Sequence, residues 1–241
     1  MRLRVVRFMW PLVGADLVVV LTCPRSTDYL SNTLSSLERG GVRCVKAPRV
    51  LVMDGGAPYF SADWPTYSLG RSPQGNLRAF MGVFELAQER NVDRLLFLED
   101  DIVVCKNAVP RMLNTQVPDD SAFVSFFDMK ELPYGAAAGM YKVSTMGKDG
   151  RGYWGSQALL WPRRTIDYML AHKHEIFQGQ SKHSSDCLFG YQLLCSPWPR
   201  YAIHVPNLVE HTGIISAIWS WIPKVNRKAT NFPGEGFDAL A

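Results

Sequence analysis

The chain has 241 residues, of which 47% are hydrophobic, 12% aromatic and 20% charged, a balance that excludes a disordered tail, a coiled coil and a collagen-like repeat. Its 26 basic and 22 acidic residues leave a mild net charge of +4. Residues 1–50 hold eight of the basic residues against three acidic ones, which suits an anionic ligand such as a nucleotide diphosphate and equally an ordinary solvated surface.

The opening run MRLRVVRFMWPLVGADLVVVLTC places basic residues before apolar ones, as a signal peptide does. Pro11, Gly14 and Asp16 interrupt it and strand-like sequence follows at once, so neither an export signal nor a transmembrane helix is expected. From Asp16, the short β-branched run LVVVLT has the pattern of a strand buried on both faces of a parallel sheet. Leu30, Thr33, Leu34 and Leu37 then recur at helical spacing, with Ser26 or Thr27 as the cap and Gly40-Gly41 as the stop. Residues 42–53 bring the chain to a second strand ending at Met53, completing a βαβ unit.

Residues 55–75 lack periodicity and are predicted to form a long loop of the kind that usually serves function. Leu77, Phe80, Met81 and Phe84 restore helical spacing to about Arg90, and RLLFLEDDIVV is predicted as a further buried strand. A helix near 106–115, a strand at 122–127, a Gly-rich loop from Gly135 to Gly155 and a strand in GSQALLW follow. Helices in RRTIDYMLAH and SSDCLFGYQLLC and a last strand at 201–205 complete the chain. No repeat, low-complexity segment or linker appears, so a single α/β domain is expected. Five cysteines, an odd number with no CxxC pair, lie in or beside apolar runs and favour a reducing compartment, hence a cytoplasmic protein.

Glu99-Asp100-Asp101 is the most informative point. Ligands of open α/β sheets bind outside the carboxyl ends of the strands, and three adjacent acids leave the end of an apolar strand there. Such carboxylates repel one another unless a cation neutralises them. Oxygen-ligated Mg²⁺ or Mn²⁺ bridging to a diphosphate is the economical explanation, and a solvated acidic turn is the plainer one.

LVVVLTCPRS, VLVMDGG, QGNLRAFMGVFELA and LLFLEDDIVV, in that order and spacing, resemble the nucleotide-sugar half of a GT-A glycosyltransferase. The resemblance implies a Rossmann-like, mostly parallel central sheet flanked by helices. It divides the chain into a nucleotide-binding half at 16–104, an acceptor half at 105–216 and a C-terminal tail at 217–241. It further implies that Thr22, Cys23, Pro24 and Arg25 hold the nucleobase and that Asp54 contacts base or ribose. Asn76 and Arg78 would reach the ribose or diphosphate, and Glu99, Asp100 and Asp101 match the DxD-type metal motif in the form EDD, with Asp101 on the metal.

GYWGSQALLW resembles the strand beneath the sugar and acceptor, which places Trp154, Gly155, Ser156 and Gln157 near the transferred sugar. Asp186 falls where inverting members carry the acid or base carboxylate, although Asp is equally a preferred helix cap. PNLVEHTGIIS resembles the segment in which a His-x-Gly completes the metal site, which makes His211 a metal ligand. The activity implied is metal-dependent transfer from a nucleotide sugar, a UDP-sugar, to a hydroxyl acceptor: a glycan or a hydroxymethylated base in DNA. A nucleotidyltransferase and a non-catalytic sugar- or nucleic-acid-binding module on the same fold are the alternatives. His172, His174 and His183 are read as solvated helix-end residues. Lys224, Arg227 and Lys228 beside aromatics form a tail able to hold a phosphate backbone, or simply an exposed end.

Overall fold

The computed structural model of the protein describes residues 15–24, 28–56, 63–70, 72–73, 75–148, 150, 152–153, 155–178, 185–213 and 227–241, with the side chains of 185 and 186 left aside. Strand β1 (Asp16–Thr22) lies at its centre, a run of Val and Leu buried along almost its whole length. Because side chains alternate across a strand, Leu17, Val19 and Leu21 face one apolar layer and Val18 and Val20 the other. β1 pairs in parallel with β2 (Arg49–Met53) on one side and with β4 (Arg94–Glu99) on the other.

The described strands form an eight-stranded sheet. Its remaining members are β3 (Thr66–Ser68), β6 (Val124–Ser125), β7 (Gly139–Ser144), β8 (Ala158–Pro162) and β9 (Arg200–Val205). Their order is β3-β2-β1-β4-β8-β6-β9-β7. The pairings leave six strands pointing the same way, with β8 and β7 reversed. This is the mostly parallel sheet the resemblance implies, and β4–β8 joins the two halves of the chain within it. A small antiparallel pair, β5 (Ile102–Val104) with β10 (Val209–His211), crosses beside it.

Helices cover both faces. α1 (Tyr29–Arg39) and α3 (Ala108–Asn114) pack on the Val18/Val20 side, while α2 (Asn76–Glu89), α4 (Arg163–Ala171), α5 (Lys173–Gln178) and α6 (Ser185–Leu194) pack on the other. The second layer is aromatic: Phe80 stacks on Phe97 with centroids 4.0 Å apart and meets Phe84, Phe189 and Trp161 edge-on. Such pairs add to the stabilisation from area burial alone.

Five expectations change, two of them at once: β3 forms within the 55–75 stretch expected to be loop, and β10 follows the strand expected to be last. Asp28 caps α1 by accepting from Ser31 N at 3.0 Å, a place the sequence reading gave to Ser26 or Thr27, both outside the described residues. The Gly135–Gly155 stretch is not all loop, because β7 forms within it as the outer partner of β9, with mostly exposed or half-exposed residues. RLLFLEDDIVV is two strands, broken at Asp100–Asp101 as the chain leaves the large sheet for the small one.

No described helix is long and apolar enough to cross a membrane. The shared direction of β1, β2, β4, β6 and β9 gathers Thr22, Asp54, the three acids, Asp128 and Pro206 at one edge of the sheet. The reversed β8 brings Gly155, Ser156 and Gln157 to that same edge.

Candidate active site at the carboxyl edge

Asp54 begins the site by tying three elements together. Its backbone N–H donates to Thr22 O at 2.8 Å, and its Oδ2 accepts from Gly75 N, just before α2, at 3.1 Å. The ends of β1 and β2 and the start of α2 are thereby fixed at one spot. Pro24 is exposed and abuts Gly56, with Cys23 half-buried beside it. Asn76 is half-exposed at the first position of α2, and the exposed Arg78 carries its guanidinium 5.1 Å from the Phe177 ring centroid. Arg25 and Trp154 lie outside the described residues, as does the side chain of Asp186, which is the second residue of α6.

Consecutive residues at a strand end point in different directions, and the three acids divide accordingly. Glu99, on the Phe97 side, is half-exposed. Its Oε1 accepts from Ser156 Oγ at 2.5 Å and its Oε2 from Gln157 Nε2 at 3.3 Å, while its backbone N–H donates to Gln157 O at 3.0 Å. Ser156 and Gln157, expected near the sugar, therefore hold this carboxylate across the β4–β8 pair. Gly155 before them has φ +108, and a Cβ there would stand 2.7 Å from a ring carbon of Phe127, so the approach demands glycine.

Asp100 points to the α1 side. It is 2% exposed and accepts a short hydrogen bond from the Thr22 hydroxyl. Its backbone oxygen accepts from Thr33 Oγ1 at 2.8 Å, and Thr33 also bonds both backbone groups of Ile102. The turn between β4 and β5 is thus held by α1.

Asp101 meets His211. Pairing of β10 with β5 sets His211 opposite Ile102, and Nε2 comes to 3.4 Å from Asp101 Oδ2, with each side chain 9% exposed. Thr212 N donates to Asp101 O at 2.8 Å and locks the pair from behind. Gly213 leaves the space beside them clear, since a Cβ on it would collide with Asp101 Oδ2 and stand 2.9 Å from His211 Nε2.

Among the described residues no group of three or more His, Cys, Asp or Glu is arranged to hold a metal. Two protein donors nevertheless fit a divalent cation that accepts both a carboxylate oxygen and an imidazole nitrogen and completes its shell with phosphate and water, as Mn²⁺ does, neighbouring ligands standing about 3 Å apart. The carboxylate and imidazole, their separation and the cradle kept open by Gly213 satisfy that requirement.

Lys228 is a residue of the site that sequence reasoning left in the tail. The C-terminal segment returns across this edge. The exposed Lys228 puts Nζ 3.5 Å from His211 O, and Ala229 N donates to Glu210 Oε1 at 2.9 Å. Only the adjacency of Lys to Arg227 and aromatics signalled it. His172 and His174 bond to their own helices, at Tyr168 O and Gln178, and take no part in the site; His183 is outside the described residues. A cavity of about 420 Å³, lined by Asp16, Lys46 and Arg94 among others, opens at the opposite edge of the sheet. There Arg94 is committed to Asp16 through two bonds of 2.8 and 2.7 Å.

No protein-family model matches the chain. No curated protein matches its sequence significantly. Solved structures do resemble it. The galactosyltransferase LgtC, determined with donor and acceptor sugar analogues, is 15% identical, with a TM-score of 0.49 over 85% of this chain and 91% of its own. A glycosyltransferase involved in glycosylation of the major capsid of PBCV-1 gives 12% identity and a TM-score of 0.48 over 84% and 95% of the two chains. The glycosyltransferase GlyE of Streptococcus pneumoniae TIGR4 gives 12% and 0.47, and this chain spans 44% of its length. The resemblance is one of chain path, and no residue role follows from it.

Proposed function

We propose that the protein is a metal-dependent glycosyltransferase that moves a sugar from a nucleotide sugar, a UDP-sugar, to a hydroxyl group. The observation that carries this reading is the Asp101–His211 pair, held at the end of the acidic strand with its open side kept clear by Gly213. Mn²⁺ or Mg²⁺ held by Asp101 and His211 would supply Lewis-acid stabilisation of the leaving diphosphate.

The chain's own residues do the rest. Thr22, Cys23, Pro24 and Asp54, at the ends of the central strands, receive the nucleoside together with Arg25. Asn76 and Arg78 at the start of α2 reach its ribose and phosphates. Lys228, exposed beside His211, adds positive charge where the diphosphate departs, which stabilises the charge that develops as the bond to the sugar breaks. Asp100, buried and held by Thr22, adds negative charge that favours a cation nearby.

Glu99, pinned by Ser156 and Gln157, faces the other side of the edge with Gly155 and, together with Trp154, orients the hydroxyls of the sugar. Asp186 in the first turn of α6 removes the acceptor proton as the new glycosidic bond forms opposite the leaving group, which gives inversion. The protein acts in the cytoplasm. Incubation with Mn²⁺ and a panel of UDP- and GDP-sugars is expected to release nucleoside diphosphate. Release of pyrophosphate from UTP would identify a nucleotidyltransferase instead, and no turnover of any donor would refute the proposal.

A further inference from the structure

The loop after β6 is a second built feature of the carboxyl edge. Asp128, 2% exposed, folds its start: Oδ1 accepts from Glu131 N and Oδ2 from Leu132 N, both at 2.9 Å. Asn231 of the returning C-terminal segment closes its tip, accepting from Gly135 N at 2.8 Å and donating to Pro133 O at 3.1 Å. Between these two anchored residues stands Tyr134, 91% exposed.

Single exposed aromatics are common on protein surfaces; Tyr134 differs in where its loop is tied. Thr230 N donates to Asp128 O at 2.6 Å, and Asn231 exchanges two bonds with Asn207. Ala229, bonded to Glu210 beside His211, is two residues from Asn231. Two residues span at most about 7 Å. The tether that flanks Tyr134 therefore begins at the strand carrying His211.

We propose that Tyr134 is the platform of an acceptor subsite that stacks against a pyranose ring of a glycan. The inference rests on the glycosyl-transfer reading and adds the acceptor class to it. An aromatic face is electron-rich and attracts the polarised C–H groups on one face of a pyranose, while the phenol keeps its polar end in water. Tyr has few torsions to freeze, and a loop already fixed by Asp128 and Asn231 costs little further ordering on binding. Standing on the carboxyl edge that also carries the Asp101–His211 pair, the platform would present a hydroxyl of the stacked glycan to the transferred sugar.

Saturation-transfer NMR tests this on the full chain with Mn²⁺, using lactose, maltose and methyl β-D-galactopyranoside as probes, with UDP titrated calorimetrically into the same samples. At least one sugar is expected to bind. Tyr134→Ala is expected to weaken it about tenfold relative to UDP, as loss of an aromatic stack does, and Tyr134→Trp to retain it. Unfolding temperature should be the same for both variants, because the ring is exposed. Equal sugar binding by parent and Tyr134→Ala, or binding of none of the three sugars, overturns the proposal. A duplex containing hydroxymethylcytosine that binds through Tyr134 more tightly than any sugar overturns the glycan assignment. Tyr134-dependent sugar binding without UDP binding leaves the platform standing and sinks the donor site; UDP binding without sugar binding does the reverse.

Discussion

His211 stands opposite Ile102 in the β5–β10 pair, and that register alone brings its Nε2 to 3.4 Å from Asp101 Oδ2. The strand pairing makes the site, because a slip of one residue would turn the imidazole to the other face. Under the proposed function, the small sheet positions the residues for the cation as the large sheet positions those for the nucleotide.

Gly213→Ala tests the cradle. The added methyl group would collide with Asp101 Oδ2, so either the loop shifts or the carboxylate turns. Mn²⁺-dependent UDP affinity is expected to fall about 10- to 100-fold, the scale on which shell residues matter at metal sites. Calorimetry reads it, and unchanged affinity would mean that the cation lies elsewhere.

Thr22→Val removes the hydroxyl that donates to the buried Asp100 carboxylate while keeping the shape of the side chain. Losing one donor to a buried acceptor costs about 1–3 kcal/mol, and urea unfolding should show it. Asp100→Asn in the Thr22→Val background should recover part of the loss, since the charge left short of a donor is gone.

Glu131 lies outside the site. It is 2% exposed, with Oε2 accepting from Lys148 N at 3.0 Å and Oε1 buried without a hydrogen-bond partner. Burial pushes its carboxyl above the ordinary 4.5, against the lowering effect of the Lys148 N–H. A carboxyl raised in the folded state gives up stability as pH climbs from 4.5 to the folded value, because the unfolded chain ionises first. Stability relative to the parent should therefore move in favour of Glu131→Gln across that window and level off above it. A difference independent of pH would contradict this account.

Cysteine reactivity should divide by burial. Cys105 is fully buried, and burial pushes its thiol up to about 12, whereas Cys44 and Cys195 are exposed. A thiol-specific reagent should modify the exposed pair in the native protein and reach Cys105 only on unfolding. Rapid native labelling of Cys105 would show that the α1–α3 side opens readily.

The sequence carries the fold where the local pattern is strong. β1 and β4 are legible as unbroken apolar runs and α1 and α2 from apolar residues recurring at three and four, whereas β7 is not, since GMYKVS sits among glycines and its partner β9 lies far along the chain. The cap of α1 went to Asp28 because its carboxylate reaches Ser31 N. In the site, three adjacent acids announced themselves, and His211 could be placed only through the resemblance. That Ser156 and Gln157 grip Glu99, and that Asn231 ties down the loop carrying Tyr134, depends on pairings between distant segments. No local pattern records those.

Calorimetric titration of UDP into the protein with Mn²⁺, repeated with EDTA and with Asp101→Ala, tests the central claim most directly. The account predicts micromolar binding that both controls abolish. Binding that survives EDTA and Asp101→Ala, or no nucleotide binding in any condition, would contradict it.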